Sequence, residues 1–333
     1  MPTPREFRVA RAFALAVCTA TIMVVGPAAS PALALEKITY LLPAPPSLPA
    51  FAPWVIAKQL GYYAKAGYDV EFATAKGGVD VAKQVGVGNA PIGGAIGDTP
   101  IIVRSNGVPV KAVAVLGGGS LTVLVARADS GIKSIPDLKG KNISVMSFQD
   151  TTYFALLGTL ASKGMSRSDV QAKAVGPGWV ANFVTTGKAD ACACSPDMEV
   201  DARSKMPDAV SLPTLDAFPS MAQAILASDE VIAKRPEMVR AIVQATLKGM
   251  KYVMDNPDAA AKVYVEATPS FAGKEALINA TLKNFVKRTY GGQAVLGEID
   301  CSRLKTLEAF YLKEGIIQRT VPIDELYTNA FVK

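Results

Sequence analysis

Histidine is missing from all 333 residues of the chain. Its absence excludes Ser-His-Asp and Cys-His nucleophile pairs, histidine-ligated zinc and the usual general base near neutral pH. Carboxylates, lysine, tyrosine and cysteine could still catalyse, but no nucleophile elbow, phosphate-cradling glycine-lysine loop or paired-carboxylate motif stands out to employ them. A strong charge of one sign is lacking too. Arg5, Arg8, Arg11 and Glu6 fall in the first 34 residues, leaving 32 basic and 28 acidic residues and a net charge of +4 beyond them, which is no nucleic-acid footprint. After the N-terminus there is no second long apolar run.

Cysteine is scarce. Beyond Cys18 the chain holds Cys192 and Cys194 in DACAC and Cys301 alone, so at least one thiol stays free or pairs between molecules. On a strand, Cys192 and Cys194 point the same way and read as buried small hydrophobes, with a bridge from Cys301 to either left open. No metal site is expected, since neither histidine nor a third clustered cysteine is at hand.

What is present starts with an export signal. Arg5, Arg8 and Arg11 precede a mostly apolar run from Ala12 to Val25, then Gly26-Pro27 and the small-residue sequence Ala32-Leu33-Ala34. This layout predicts cleavage after Ala34 and a chain outside the cytoplasm. The run is shorter than the roughly 20 residues that span a bilayer. Val17 is a poor residue before a lipidated cysteine, which argues against lipid anchoring at Cys18. The remaining residues suffice for two domains, burying roughly three quarters of the unfolded surface.

The stretch Gly88 to Pro100, GNAPIGGAIGDTP, reads as a short buried strand running into a tight turn. Its glycines let backbone approach a neighbour closely, and Asp98 and Thr99 offer polar groups at the strand's end. Around it strands and helices alternate. Glu36–Leu42 is a strand, followed by the proline-studded loop Pro43–Phe51 and a helix over Ala52–Leu60; Tyr68–Ala73, Ala90–Ile96 and Val110–Leu116 are further strands, with helices over Gly78–Val85 and Pro100–Ser105. This spacing predicts a mostly parallel α/β sheet, whose ligands bind beyond the carboxyl ends of the strands. The loops Pro43–Phe51, Gly97–Pro100 and Gly117–Ser120 then converge on one edge.

A second unit begins at Leu121. Strands are expected at Leu121–Arg127, Asn142–Met146, Lys173–Val175 and Asp190–Cys194, with a helix from Tyr153 to Ser162. The segment Ser147–Thr152 ahead of that helix supplies natural N-caps, and a helix N-terminus also accepts an anion or polar group. Trp179, at the start of a helix ending at Thr186, is either a core staple or a flat platform for a ligand. One more apolar strand runs from Met221 to Ala227. Scaffold helices over Glu237–Asp255, Glu275–Thr289 and Ser302–Glu314 follow.

Several pieces in this order resemble the solute-binding proteins of ABC importers in the nitrate, taurine and aliphatic sulfonate class, which includes binders of thiamin-precursor pyrimidines. They are WVIAKQLGYYAKAGYDVEF, GAIGDTP, SGIKSIPDLKGKNISV, FVTTGKADA and SDEVIAKRPEMVRAIVQATLKGMKYVMDNPDAAAKVY. The resemblance implies a two-lobed α/β binding protein of the Venus-flytrap type, each lobe a mostly parallel sheet flanked by helices. Lobe one would comprise 35–122 and 222–333, lobe two 123–221, with the signal in 1–34. It further implies a monomer without cofactor that delivers a small molecule to a membrane permease.

Carried over residue by residue, the resemblance implies ligand contacts at Ser47, Leu48 and Phe51, at Asp98 and Thr99, at Ser120, at Gln149, Asp150, Thr151 and Thr152, and at Trp179 and Ser195. No arginine lies in these loops, although bidentate arginine is the usual partner of a carboxylate. A small organic anion such as a sulfonate, held by N–H and hydroxyl groups, is the first expectation. A neutral or cationic aromatic such as a pyrimidine, stacked on Phe51 or Trp179 with Asp98 or Asp150 as acceptors, is the alternative. The same resemblance extends to a pyrimidine synthase that needs histidine, which this chain does not have. A sensor or scavenging role without a transporter is the remaining reading.

Overall fold

The computed structural model describes residues 34–212 and 214–333; the expected export signal, but for Ala34, lies outside the described residues. Ten strands form among them. These are β1 (Glu36–Leu42), β2 (Tyr68–Thr74), β3 (Ile92–Ile96), β4 (Val110–Val115), β5 (Val123–Ala126), β6 (Asn142–Val145), β7 (Gln171–Ala174), β8 (Ala191–Cys194), β9 (Val210–Leu212) and β10 (Gln223–Ser228). They divide into two five-stranded sheets of order β2-β1-β3-β10-β4 and β7-β6-β8-β5-β9.

Each sheet is mixed in the same way. Four strands run together, and one, β10 in the first sheet and β5 in the second, runs against both of its neighbours. The reversed strand is in each case the one the chain forms on arriving from the other sheet. The chain therefore crosses twice, between Val115 and Val123 and between Leu212 and Gln223. One side chain holds both crossings. Arg303 donates through Nη1 to the Gly118 carbonyl at 2.5 Å, through Nη2 to Gly119 at 3.0 Å and to Ser220, and through Nε to Pro219 at 2.7 Å.

Burial explains the strand sequences. All five residues of β3 are buried, and a Cβ on Gly93 would lie 2.4 Å from Val81, so glycine is what lets the helix Gly78–Gly86 seat on the sheet. One large core surrounds the first sheet, and separate apolar clusters cover the two faces of the second. The helix Pro236–Asp255 packs its Val239, Ile242, Val243 and Met250 inward, as its spacing predicts.

Some elements differ from expectation. The helix Pro196–Lys205 was invisible to apolar periodicity because its buried face includes Asp197 and Glu199. The expected single helix through Thr289 stops at Phe285 and continues as a π-turn, Val286–Tyr290. That turn packs against the Gly117–Ser120 loop, where a Cβ on Gly117 would lie 1.9 Å from the Thr289 carbonyl. The loop is thus a packed crossing rather than an open cleft edge. Among the described residues no helix is long and apolar enough to cross a membrane.

Gly249 tests the helix packing. A Cβ there would lie 2.1 Å from the Pro53 carbonyl oxygen of the helix Ala52–Gln59. Alanine normally gains about 1 kcal/mol over glycine inside a helix. Here Gly249→Ala is expected to destabilise by about 1–3 kcal/mol, the range for overpacking. Urea unfolding checks this: a lower midpoint is expected, and an unchanged or higher one would contradict the contact.

Candidate functional site

A cavity of about 50 Å³, room for a few water molecules, lies between the two sheets. From the first sheet's side it is lined by the loop after β1 (Pro43, Ala44, Leu48, Ala50, Phe51), by Trp54, by Gly94, Ala95 and Ile96 of β3, by Leu121 and by Gln223 of β10. From the second come Met146, Asp150, Thr151 and Thr152, then Ala193, Cys194, Ser195 and Met198. Phe51 and Trp54 meet edge to face, with centroids 6.0 Å apart. The walls are mostly apolar, and the lining carries neither Lys nor Arg.

Six of the twelve residues singled out in the sequence come together here: Leu48, Phe51, Asp150, Thr151, Thr152 and Ser195. The others lie elsewhere, each for a local reason. Ser47 faces a separate surface hollow, and its carbonyl accepts the Tyr264 hydroxyl at 2.7 Å. Asp98 and Thr99 are buried one step beyond β3, where Asp98 Oδ2 accepts from Tyr311 at 2.7 Å. The Ser120 hydroxyl accepts the Thr122 N–H at 3.1 Å and belongs to the crossing. Gln149 is exposed, while its carbonyl accepts from Val79 N–H at 3.1 Å. Trp179 is 57% exposed, so it is neither a core staple nor part of the cavity wall.

Trp54, Gln223, Cys194 and Met198 were not among the expected ligand contacts. Gln223 did leave a signal, a lone amide in the apolar run Met221–Ala227. Cys192 and Cys194 share a face of β8 as expected, with their sulfurs 3.1 Å apart. The expectation of a possible Cys301 bridge is not met, since all three described cysteines are free.

Asp150 is the cavity's one carboxyl group. It caps the helix Thr151–Ala161, Oδ1 accepting the Thr152 N–H at 3.0 Å and the Thr152 hydroxyl. Burial pushes its pKa above the ordinary 3.8, against the pull of Thr152 and of the Gly78 and Thr151 N–H groups. Asp197 beside the cavity is likewise raised by burial, and the Ser195 hydroxyl and the Ala50 N–H oppose the shift. The Gly78 and Ala50 contacts reach from the first sheet's elements to the second's.

Further contacts join the same two sides. Glu199 is buried and accepts from Arg288 Nη2 at 2.7 Å and Asn284 Nδ2 at 3.0 Å, both from the segment after β10. Gly77, at φ 127°, approaches the Gln149 carbonyl so closely that a Cβ would sit 2.8 Å away. Only glycine serves there, since the positive φ and the contact both exclude a side chain.

A family model described as NMT1/THI5 like matches residues 48–260. The chain belongs to the NMT1/THI5-like family. One curated relative of this NMT1/THI5-like chain, the riboflavin-binding protein RibY of Chloroflexus aurantiacus, is 27% identical over 325 residues, 94% of this chain and 92% of that protein. A Saccharomyces cerevisiae protein named 4-amino-5-hydroxymethyl-2-methylpyrimidine phosphate synthase THI13 is 26% identical over 251 residues, 71% and 73% of the respective chains. Among solved structures, the alkanesulfonate-binding protein SsuA of Xanthomonas axonopodis pv. citri, bound to MOPS, superposes with a TM-score of 0.70 at 18% identity, covering 89% of this chain and 98% of that one. The fold is therefore that of two-lobed periplasmic solute-binding proteins.

The raised pKa of Asp150 gives a pH test. The folded state holds its proton more tightly than the unfolded chain, so this group's stabilising contribution is fully present below 3.8 and is lost as pH rises through the raised value. Asparagine caps a helix as well as aspartate does. Asp150→Asn is expected to melt increasingly above the native protein as pH rises from about 4 to about 7, measured without ligand. A gap that narrows over that range would show an ionised carboxylate stabilised in place.

Proposed function

We propose that the chain is the extracytoplasmic solute-binding component of an ABC importer. Lobe one, 35–122 with 222–333, and lobe two, 123–221, close on a small molecule and present it to permease subunits in the membrane. The protein works as a monomer in the periplasm after cleavage at Ala34, without cofactor and without nucleic acid. The observation that carries this reading is the cavity between the two sheets, lined from both sides and bridged by contacts that hinge motion would break. Binding rather than catalysis is favoured because no histidine is present, although yeast relatives are named as synthases.

The ligand we read as a neutral or cationic ring compound rather than the sulfonate first expected. A buried anion calls for a cation or several N–H donors, whereas this lining offers a carboxyl group, two aromatic rings and no Lys or Arg. An ionised Asp150 would repel a sulfonate and attract an amine. The relative named as riboflavin-binding also points to a ring.

Thermal shift tests this with riboflavin, thiamin, 4-amino-5-hydroxymethyl-2-methylpyrimidine, taurine, alkanesulfonates and nitrate. A ring compound at about 100 times its Kd is expected to add about 2.7 kcal/mol, a rise of several degrees. Raising NaCl from about 0.05 M to about 0.5 M should change a neutral ligand's effect little. Stabilisation by sulfonates or nitrate alone would restore the anion reading, and no stabilisation by any of them would remove the solute-binding one.

A further inference from the structure

Two cavity-lining residues carry a buried side-chain nitrogen or oxygen without a partner among the described residues: Trp54, whose Nε1 is turned towards the Tyr40 hydroxyl, and Gln223. Gln223 is 3% exposed at the start of β10, the strand formed where the chain re-enters the first sheet. Its Nε2 donates to the Ala50 carbonyl at 2.8 Å. A carbonyl oxygen only accepts, so chemistry alone fixes which way the amide faces. The nitrogen must point to Ala50, and Oε1 is left buried and unpaired.

We infer that Gln223 is a specificity-determining residue: its fixed Oε1 selects ring ligands that present an N–H donor, on the ring or on an exocyclic amine, to the first-sheet wall of the cavity. This rests on the solute-binding reading and narrows its ligand class. An unpaired buried acceptor is costly, and a donor on the ligand removes that cost, while a ligand lacking one leaves it in place. Free rotation would let the amide offer its nitrogen to an accepting ligand; the Ala50 bond denies that choice. On the second-sheet wall, Asp150 Oδ1 is already engaged by Thr152, so the two walls do not make equal demands. A sulfonate group, whose oxygens only accept, would place oxygen against oxygen at Gln223.

The test uses matched probes in calorimetry: riboflavin against 3-methylriboflavin, and 4-amino-5-hydroxymethyl-2-methylpyrimidine against its N4,N4-dimethyl derivative. The native protein is expected to prefer the donor member of at least one pair by about 10- to 100-fold in Kd. In Gln223→Met, of similar size and without an acceptor amide, that preference should fall to within about threefold. A residue that merely propped up Ala50 would weaken both members alike and leave the ratio intact, and that result overturns the inference. Equal binding of both members to the native protein overturns it as well, even if the variant fails to fold. If no probe binds the native protein, the ring-ligand reading fails and this inference falls with it.

Discussion

The two crossings held by Arg303 are the constraint on which the rest of the structure depends. A single guanidinium takes up carbonyls of Gly118 and Gly119 before β5 and of Pro219 and Ser220 before β10. Those four carbonyls would otherwise be left over by irregular chain inside a packed region. Burial pushes the Arg303 pKa down, and the nearby Asp98 carboxylate opposes that shift. With both passages anchored at one point, β5 and β10 enter their sheets against the direction of their neighbours. β10 thereby brings Gln223, and β8 beside β5 brings Cys194 and Ser195, to the same cavity.

The cavity combines this anchoring with close backbone approach. Gly77 lies against the Gln149 backbone, Gly78 against the Thr151 side chain and the Ala50 N–H against the Asp197 carboxyl, so backbone of the first side meets both backbone and side chains of the second. Glu199, which is buried, pairs across the same division with the exposed Arg288 and with Asn284. Glu199 is also held on its own side by the Ser211 hydroxyl and by Arg203 at 3.7 Å, so it is paired from both sides of the division.

Much of the fold was legible in the sequence because strand and helix periodicities are driven by apolar burial. β1, β3, β4 and the helix Pro236–Asp255 show this plainly. The helix Pro196–Lys205 was not legible, since it buries carboxylates whose partners, Arg288, Asn284 and Ser195, are distant in sequence or inconspicuous. Half of the residues expected at a site, six of twelve, do line the cavity, and most of them for a similar reason. Asp150 to Thr152 announce a helix start, and Leu48 and Phe51 sit in a proline-rich loop that has to pack. Asp98 lies away from the cavity, since a polar residue after a glycine strand looks the same whether it faces a ligand or, as here, Tyr311. Trp179 lies away from it too, and nothing in GPGW tells solvent from cleft. Gln223 was legible only as an anomaly whose meaning needed the Ala50 bond.

The claim that the ligand lies between the sheets is tested most directly by tryptophan fluorescence. Trp54 lines the cavity and Trp179 is exposed, and they are the chain's two tryptophans. In Trp179→Phe, a ring compound that stabilises the protein is expected to change Trp54 emission, saturating at the same ligand concentration as the stabilisation. Full stabilisation with unchanged Trp54 emission would place the ligand elsewhere and contradict the account.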